Sequence, residues 1–81
     1  MIRPVYALLD SCTNELVRIA WSIHGAVIDA VVENPDLVFD DGSPLDLAGL
    51  EERLCVASMV HFYVHGDPNP VGRVERHQVG A

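Results

Sequence analysis

The chain has 81 residues, the size of one small domain, and 49% of them are hydrophobic, which is enough apolar side chain to form a core. Twelve acidic residues stand against five basic ones, all of them arginine, so the formal charge is −7. This balance disfavours direct binding to nucleic acid or to an anionic membrane, because both present negative charge.

The first predicted element is one long helix from about residue 4 to residue 33. Its polar side chains recur at steps of three and four positions and share one face of a helical wheel; they are Ser11, Asn14, Glu15, Arg18, Ser22, Gly25, Asp29 and Glu33. The opposite side is apolar, as in a helix that faces a core. Asn34-Pro35 marks its end, because proline pushes the preceding residue out of the helical region.

Residues 16–33 also have an alternative interpretation as a β-hairpin. Apolar and other side chains alternate from Val17 to His24, and Gly25 suits a tight turn. The alternation stops beyond Gly25, whereas one helical wheel accommodates both halves of the stretch. The helix is therefore the favoured interpretation.

The second predicted element is a helix over residues 44–65. It follows an acidic, turn-rich connector of residues 35–43. Ser43 is the expected N-cap, Pro44 suits the first helical turn, and Gly66 is the expected stop. In the alternative, this helix ends near residue 58 and the segment 59–64 is a strand. Residues 67–81, which are rich in proline and glycine, are expected to form a flexible tail outside a domain of residues 1–66.

These elements predict an all-α fold of two long antiparallel helices, about 4–33 and 44–65, with an acidic connector and a C-terminal tail. The apolar side of the first helix is wider than one neighbouring helix covers, so we expect a homodimeric four-helix bundle. A monomer whose connector and tail cover that side, or an assembly with a different chain, are alternatives. The alternative fold is α+β, with a hairpin over 16–33 and a helix over 44–58.

The connector and the start of the second helix concentrate carboxylates, which are expected to steer a basic partner toward this surface. The predicted partner-binding residues are Asp36, Asp40, Asp41, Asp46, Glu51, Glu52 and Trp21. The alternatives are a solvated acidic loop for the carboxylates and a core position for Trp21. An EF-hand is excluded, because placing Asp41-Gly42 at its fifth and sixth positions leaves its first, third and twelfth positions without oxygen ligands.

His61 and His65 lie four positions apart, so on a helix they could present two nitrogens to one metal ion. The alternative is two exposed histidines on a polar helical stripe. Phe62 stands where the metalloprotease pattern requires glutamate, and no nucleophile motif or phosphate-binding glycine loop is present, so catalysis and a cofactor are not expected.

The functional hypothesis is a small acidic protein-interaction module that regulates or inhibits a basic protein partner. Cys12 and Cys55 do not suggest a disulfide framework, and the N-terminus lacks a signal-peptide pattern, so a cytoplasmic protein is expected. The use of arginine without lysine suggests a bacterial or phage source. The alternative function is a metal-binding protein or small enzyme with its site at His61 and His65.

Overall fold

A computed structural model describes the backbone of residues 2–80 and the side chains of residues 3–79. Within these residues, one antiparallel sheet of five strands packs against two helices. The strands are β1 (Ile2–Asp10), β2 (Leu16–Ala20), β3 (Leu37–Val38), β4 (Met59–Val64) and β5 (Gly72–Gly80), and the helices are α1 (Ile23–Glu33) and α2 (Leu47–Val56). The strand order is β2-β1-β5-β4-β3. The predicted all-α bundle is therefore wrong, and the fold is α+β.

The long pairing of β1 with β5 forms the middle of the sheet. It runs from Ile2 opposite Gly80 to Asp10 opposite Gly72. The prediction of a C-terminal tail over 67–81 is therefore wrong, because most of that segment is the central strand. Gly72 allows the close packing there, since a β-carbon at this position would lie 2.4 Å from the ring of Phe62.

The predicted helix over 4–33 is correct only in its last third. Residues before Ser22 form β1, a turn and β2, and the helix begins where the Gly25 N–H donates to the Ser22 hydroxyl at 3.0 Å. It ends at Glu33, as the following Asn34-Pro35 predicts. The alternative hairpin over 16–33 is also wrong, because only Leu16–Ala20 is a strand and Ile23–Glu33 is α1.

The second predicted helix is shorter than 44–65. Asp46 rather than Ser43 caps α2, accepting the Gly49 N–H at 2.6 Å, and residues 59–64 form β4. Pro44 lies before the helix, in a bridge to Val38. The α+β alternative thus has the right class and a helix within 44–58. Neither helix in the described part of the chain is long and apolar enough to cross a membrane.

The core lies between the two helices and one face of the sheet. Leu50 and Leu54 of α2 are fully buried there, and each contributes about 2 kcal/mol through burial. The other buried members are Leu8, Ile23, Ala26, Val27, Leu37, Phe39, Leu45, Val60, Phe62 and Val74. Alternate residues of the strands point to the opposite face, which neither helix covers. The sheet therefore has a helix side and an open side.

Candidate functional site

A bulge in β2 places two consecutive side chains on the same side of the strand. Arg18 lies opposite Leu8 and Leu16 lies opposite Leu9, so Val17 is an extra residue in the pairing with β1. In a regular strand Val17 and Arg18 would point to opposite faces. Here both of them line a cleft on the helix side of the sheet. Bulges of this kind commonly redirect side chains beside functional sites.

The cleft lies between α1 and the sheet and has a volume of about 440 Å³. Its floor is mostly apolar and includes Leu8, Ala26, Ala30, Phe62, Val64 and Val71. Small alanine side chains on α1 leave the space open, because a larger residue at either position would extend into it. The cleft is within the size range of sites that bind small molecules or single side chains.

Three carboxylates, those of Asp10, Asp29 and Glu33, stand among the residues that line this cleft. Asp29 forms an ion pair with Arg18, while one oxygen of Asp10 accepts the N–H of Cys12 at 2.8 Å. Within residues 3–79 no hydrogen bond or ion pair engages the Glu33 carboxylate. Three carboxylates against one guanidinium leave an excess of negative charge beside an apolar floor.

The predicted acidic residues divide into two groups. Asp41 and Asp46 have structural roles: Asp46 caps α2, and Asp41 accepts the hydroxyl of Ser43 at 2.5 Å and the guanidinium of Arg53 at 3.1 Å. The hydrogen bonds from Ser43, together with the charge of Arg53, hold the pKa of Asp41 below its ordinary value. The remaining four are exposed; they are Asp36, Asp40, Glu51 and Glu52.

Trp21 lies at the junction of β2 and α1 and is exposed rather than in the core. The guanidinium carbon of Arg3 lies 4.3 Å from the centre of its ring, a cation–π contact. Asp36 and Asp40 flank β3, at the opposite edge of the sheet from β2. The structure therefore does not gather Trp21 and the connector carboxylates into one site.

The proposed metal pair, His61 and His65, does not have the helical spacing on which it depended. His61 belongs to β4 and His65 directly follows that strand, so four residues correspond to about 13 Å along an extended chain. The helical spacing that would direct both ring nitrogens to one metal ion is therefore absent. Among the described residues, no group of three histidine, cysteine or acidic side chains has a geometry that could hold a metal ion.

The open side of the sheet carries a polar cluster on β5. Glu75 accepts a hydrogen bond from Arg73 at 2.6 Å and lies 2.9 Å from the ring nitrogen of His77. The hydrogen bond from Arg73, and next that from His77, lower the pKa of Glu75. Arg73 also donates to the side-chain oxygen of Asn14 in the β1–β2 turn. These contacts tie the β1–β2 turn to β5 and join the polar side chains of Arg73, Glu75 and His77 on the open side.

The sequence did not reveal the cleft residues as a group, although it placed Arg18 and Asp29 on one polar stripe. On a continuous helix, eleven residues would separate them by about 16 Å, whereas the turn at Trp21-Ser22 brings them into an ion pair. The adjacent apolar pair Leu16-Val17, which interrupts the alternation that runs from Val17 onward, was the available signal. Comparison of this chain with models of protein families, with curated proteins and with solved structures gives no match.

Proposed function

We propose that this chain is a non-catalytic protein-interaction module that binds a basic segment of a protein partner and thereby regulates or inhibits it. The observation that carries the proposal is the cleft beside α1, with its apolar floor and its excess of carboxylates. A segment with one large apolar side chain flanked by arginine or lysine complements both features. Burying that side chain would contribute about 1.5–3 kcal/mol to the binding free energy. The flanking cations would pair with the carboxylates at the rim of the cleft, which are Asp10, Asp29 and Glu33.

The distribution of arginine supports a basic partner. Each arginine side chain contacts a group of this same chain: Arg18 contacts Asp29, Arg53 contacts Asp41, Arg73 contacts Glu75, Arg76 contacts the Leu54 carbonyl, and Arg3 contacts Trp21. None of these contacts involves the four exposed carboxylates of the connector and α2, which are Asp36, Asp40, Glu51 and Glu52. Their field would raise the association rate of a positively charged segment, while the cleft would select it.

Selection from random short peptides tests this specificity directly. We expect the enriched peptides to combine a large apolar residue with arginine or lysine, and amide chemical shifts to change around Ala30 and Glu33. Enriched sequences without basic residues, or shift changes confined to α2, would contradict the proposal. The probe in the following measurements is the tightest-binding of the selected peptides.

Two cleft variants and two matched controls separate the cleft from the overall charge. Glu33→Arg removes a rim carboxylate and Ala30→Phe fills the cleft, so each should weaken peptide binding about tenfold or more. Glu52→Arg makes the same charge change on the exposed side of α2, and Val56→Phe introduces the same side chain at a residue that is 90% exposed. Val56→Phe should stay within about threefold of the parent chain, and Glu52→Arg should lose less affinity than Glu33→Arg because it changes only the long-range field. Equal losses for Glu33→Arg and Glu52→Arg would show that only long-range charge matters.

A further inference from the structure

β2 is an edge of the sheet, so among residues 2–80 one row of its backbone N–H and C=O groups has no neighbouring strand. The segment from Leu16 to Trp21 is also unusually apolar at its surface. Its exposed fractions are 56% at Leu16, 62% at Val17, 59% at Ile19 and 53% at Trp21. An uncovered, apolar edge strand favours pairing with another strand.

We propose that this edge pairs with the β2 edge of a second copy of the chain, so that two antiparallel sheets join into one continuous sheet. Charge is the first reason for choosing a second copy. Two chains of charge −7 repel each other, and a contact surface without excess negative charge adds least to that repulsion. Residues 16–21 contain no carboxylate, and their one charged side chain, Arg18, is already matched by Asp29.

Self-complementarity of the strand is the second reason. With a twofold axis at Ile19, each Ile19 lies opposite its equivalent, and each Arg18 lies opposite Ala20 of the second copy. Arg18 and Ala20 both point to the helix side, so the pairing keeps each side chain on its own face and does not oppose the two arginines. Ile19 points to the open side, where the two copies together make one apolar stripe.

The same pairing would alter the cleft, because Val17 and Arg18 belong both to the cleft wall and to the β2 edge. A second copy at this edge lies next to the open flank of the cleft. It would cover part of Val17 and bring the two clefts to either side of the twofold axis. The module would then present two equivalent sites to a partner, a consequence that rests on the proposed function, whereas the pairing itself does not.

Sedimentation equilibrium without any peptide tests the pairing. From about 1 µM to about 500 µM, the parent chain should move toward twice its 8.9 kDa mass. Ile19→Asp should remain monomeric throughout this range, because a charge on an edge strand opposes pairing. Val56→Asp introduces the same charge at an exposed position at the end of α2, outside the β2 edge, and should associate like the parent. A parent chain that stays monomeric, or an Ile19→Asp variant that associates equally well, would overturn the proposal.

Hydrogen exchange in the parent chain gives a second measurement that needs no substitution. Because successive N–H groups of a strand point to opposite edges, the β2 amides that face away from β1 should exchange more slowly as the protein concentration rises, while amides of the connector should not change. Circular dichroism of Ile19→Asp is the folding control: its spectrum should match that of the parent chain if only association is lost. Concentration-independent exchange throughout β2 would exclude this edge as the interface, whatever the outcome of the peptide experiments.

Discussion

The two edges of the sheet are built in different ways. β3 has two residues, and the segment 43–45 lies along its outer side: Phe39 N–H donates to the Ser43 carbonyl at 2.8 Å, and Leu45 N–H donates to the Leu37 carbonyl at 3.0 Å. Pro44, which has no N–H, sits in the middle of this cover. β2 has five residues, and within residues 2–80 no segment lies along its outer side.

The difference shows how one small chain can separate stability from association. At β3 the covering segment, residues 43–45, forms hydrogen bonds with the backbone of this edge and leads into α2. This edge is therefore part of the folded core. At β2 a bulge and one arginine oppose pairing, but no segment of the described chain covers the strand. Substitutions near β3 should therefore change the free energy of unfolding most, and substitutions on β2 should change association.

The largest expected effect on stability is that of Phe39→Ala at the covered edge. Phe39 is only 2% exposed, and the guanidinium carbon of Arg53 lies 3.7 Å from its ring centre. Removing the ring should lower the free energy of unfolding by about 3–5 kcal/mol, because a cavity remains beside α2. Urea denaturation followed by circular dichroism measures this loss, with the exposed Val56→Ala as control. A loss below about 1 kcal/mol would mean that the β3 edge is not held by the core.

Smaller, equal effects are expected at the helix caps that follow each edge. Ser22→Ala after β2 and Asp46→Ala after β3 should each cost about 1 kcal/mol of unfolding free energy. Asp46→Asn keeps a capping oxygen and should retain most of the stability. Thermal denaturation of these three variants and of Ser43→Ala measures the effects. If Ser43→Ala proved more destabilising than Asp46→Ala, the helix would begin earlier than the structure shows.

The last expected effect lies midway between the edges, at Glu75 on β5; it equals a cap effect near pH 7 and becomes the smallest of the three in acid. Because its contacts with Arg73 and His77 lower its pKa below 4.5, the carboxylate stabilises the fold fully above about pH 4.5. That contribution is lost as the pH falls through the lowered pKa. Glu75→Gln should thus lower the free energy of unfolding by about 1 kcal/mol at pH 7 and by progressively less in acid. Urea titrations at several pH values, with Glu52→Gln as control, measure this; a cost that persists unchanged in acid would exclude the charge as its cause.

The bulge explains why the sequence of β2 resembled a helix. In a regular strand, residues three apart face opposite sides, but the extra residue Val17 places Leu16 and Ile19 on the same side. A spacing of three on one face is the pattern that predicts a helix. The helical residues of α1 continue the same spacing, so one helical wheel accommodated the residues of both β2 and α1. The end of α1 at Asn34-Pro35 was predictable because it depends on local sterics alone.

The central position of β5 was not predictable from local pattern, because its partner β1 lies at the other end of the chain. Its composition also misled, since a central strand is usually expected to be apolar. Only Val74 points into the core here, while Arg73, Glu75 and His77 face the open side. The acidity of the connector was readable from the sequence, but which carboxylates cap helices and which remain free depends on tertiary contacts.

The antiparallel pairing of β1 with β5 has a mechanical consequence. The strand ends at Ile2 and Gly80 are opposite each other, at the same end of the ribbon. A force that pulls these two ends apart acts across the hydrogen bonds and opens the residue pairs one after another, as a zipper opens. The longest pairing in the sheet would therefore open pair by pair under such a force, instead of breaking all its hydrogen bonds at once.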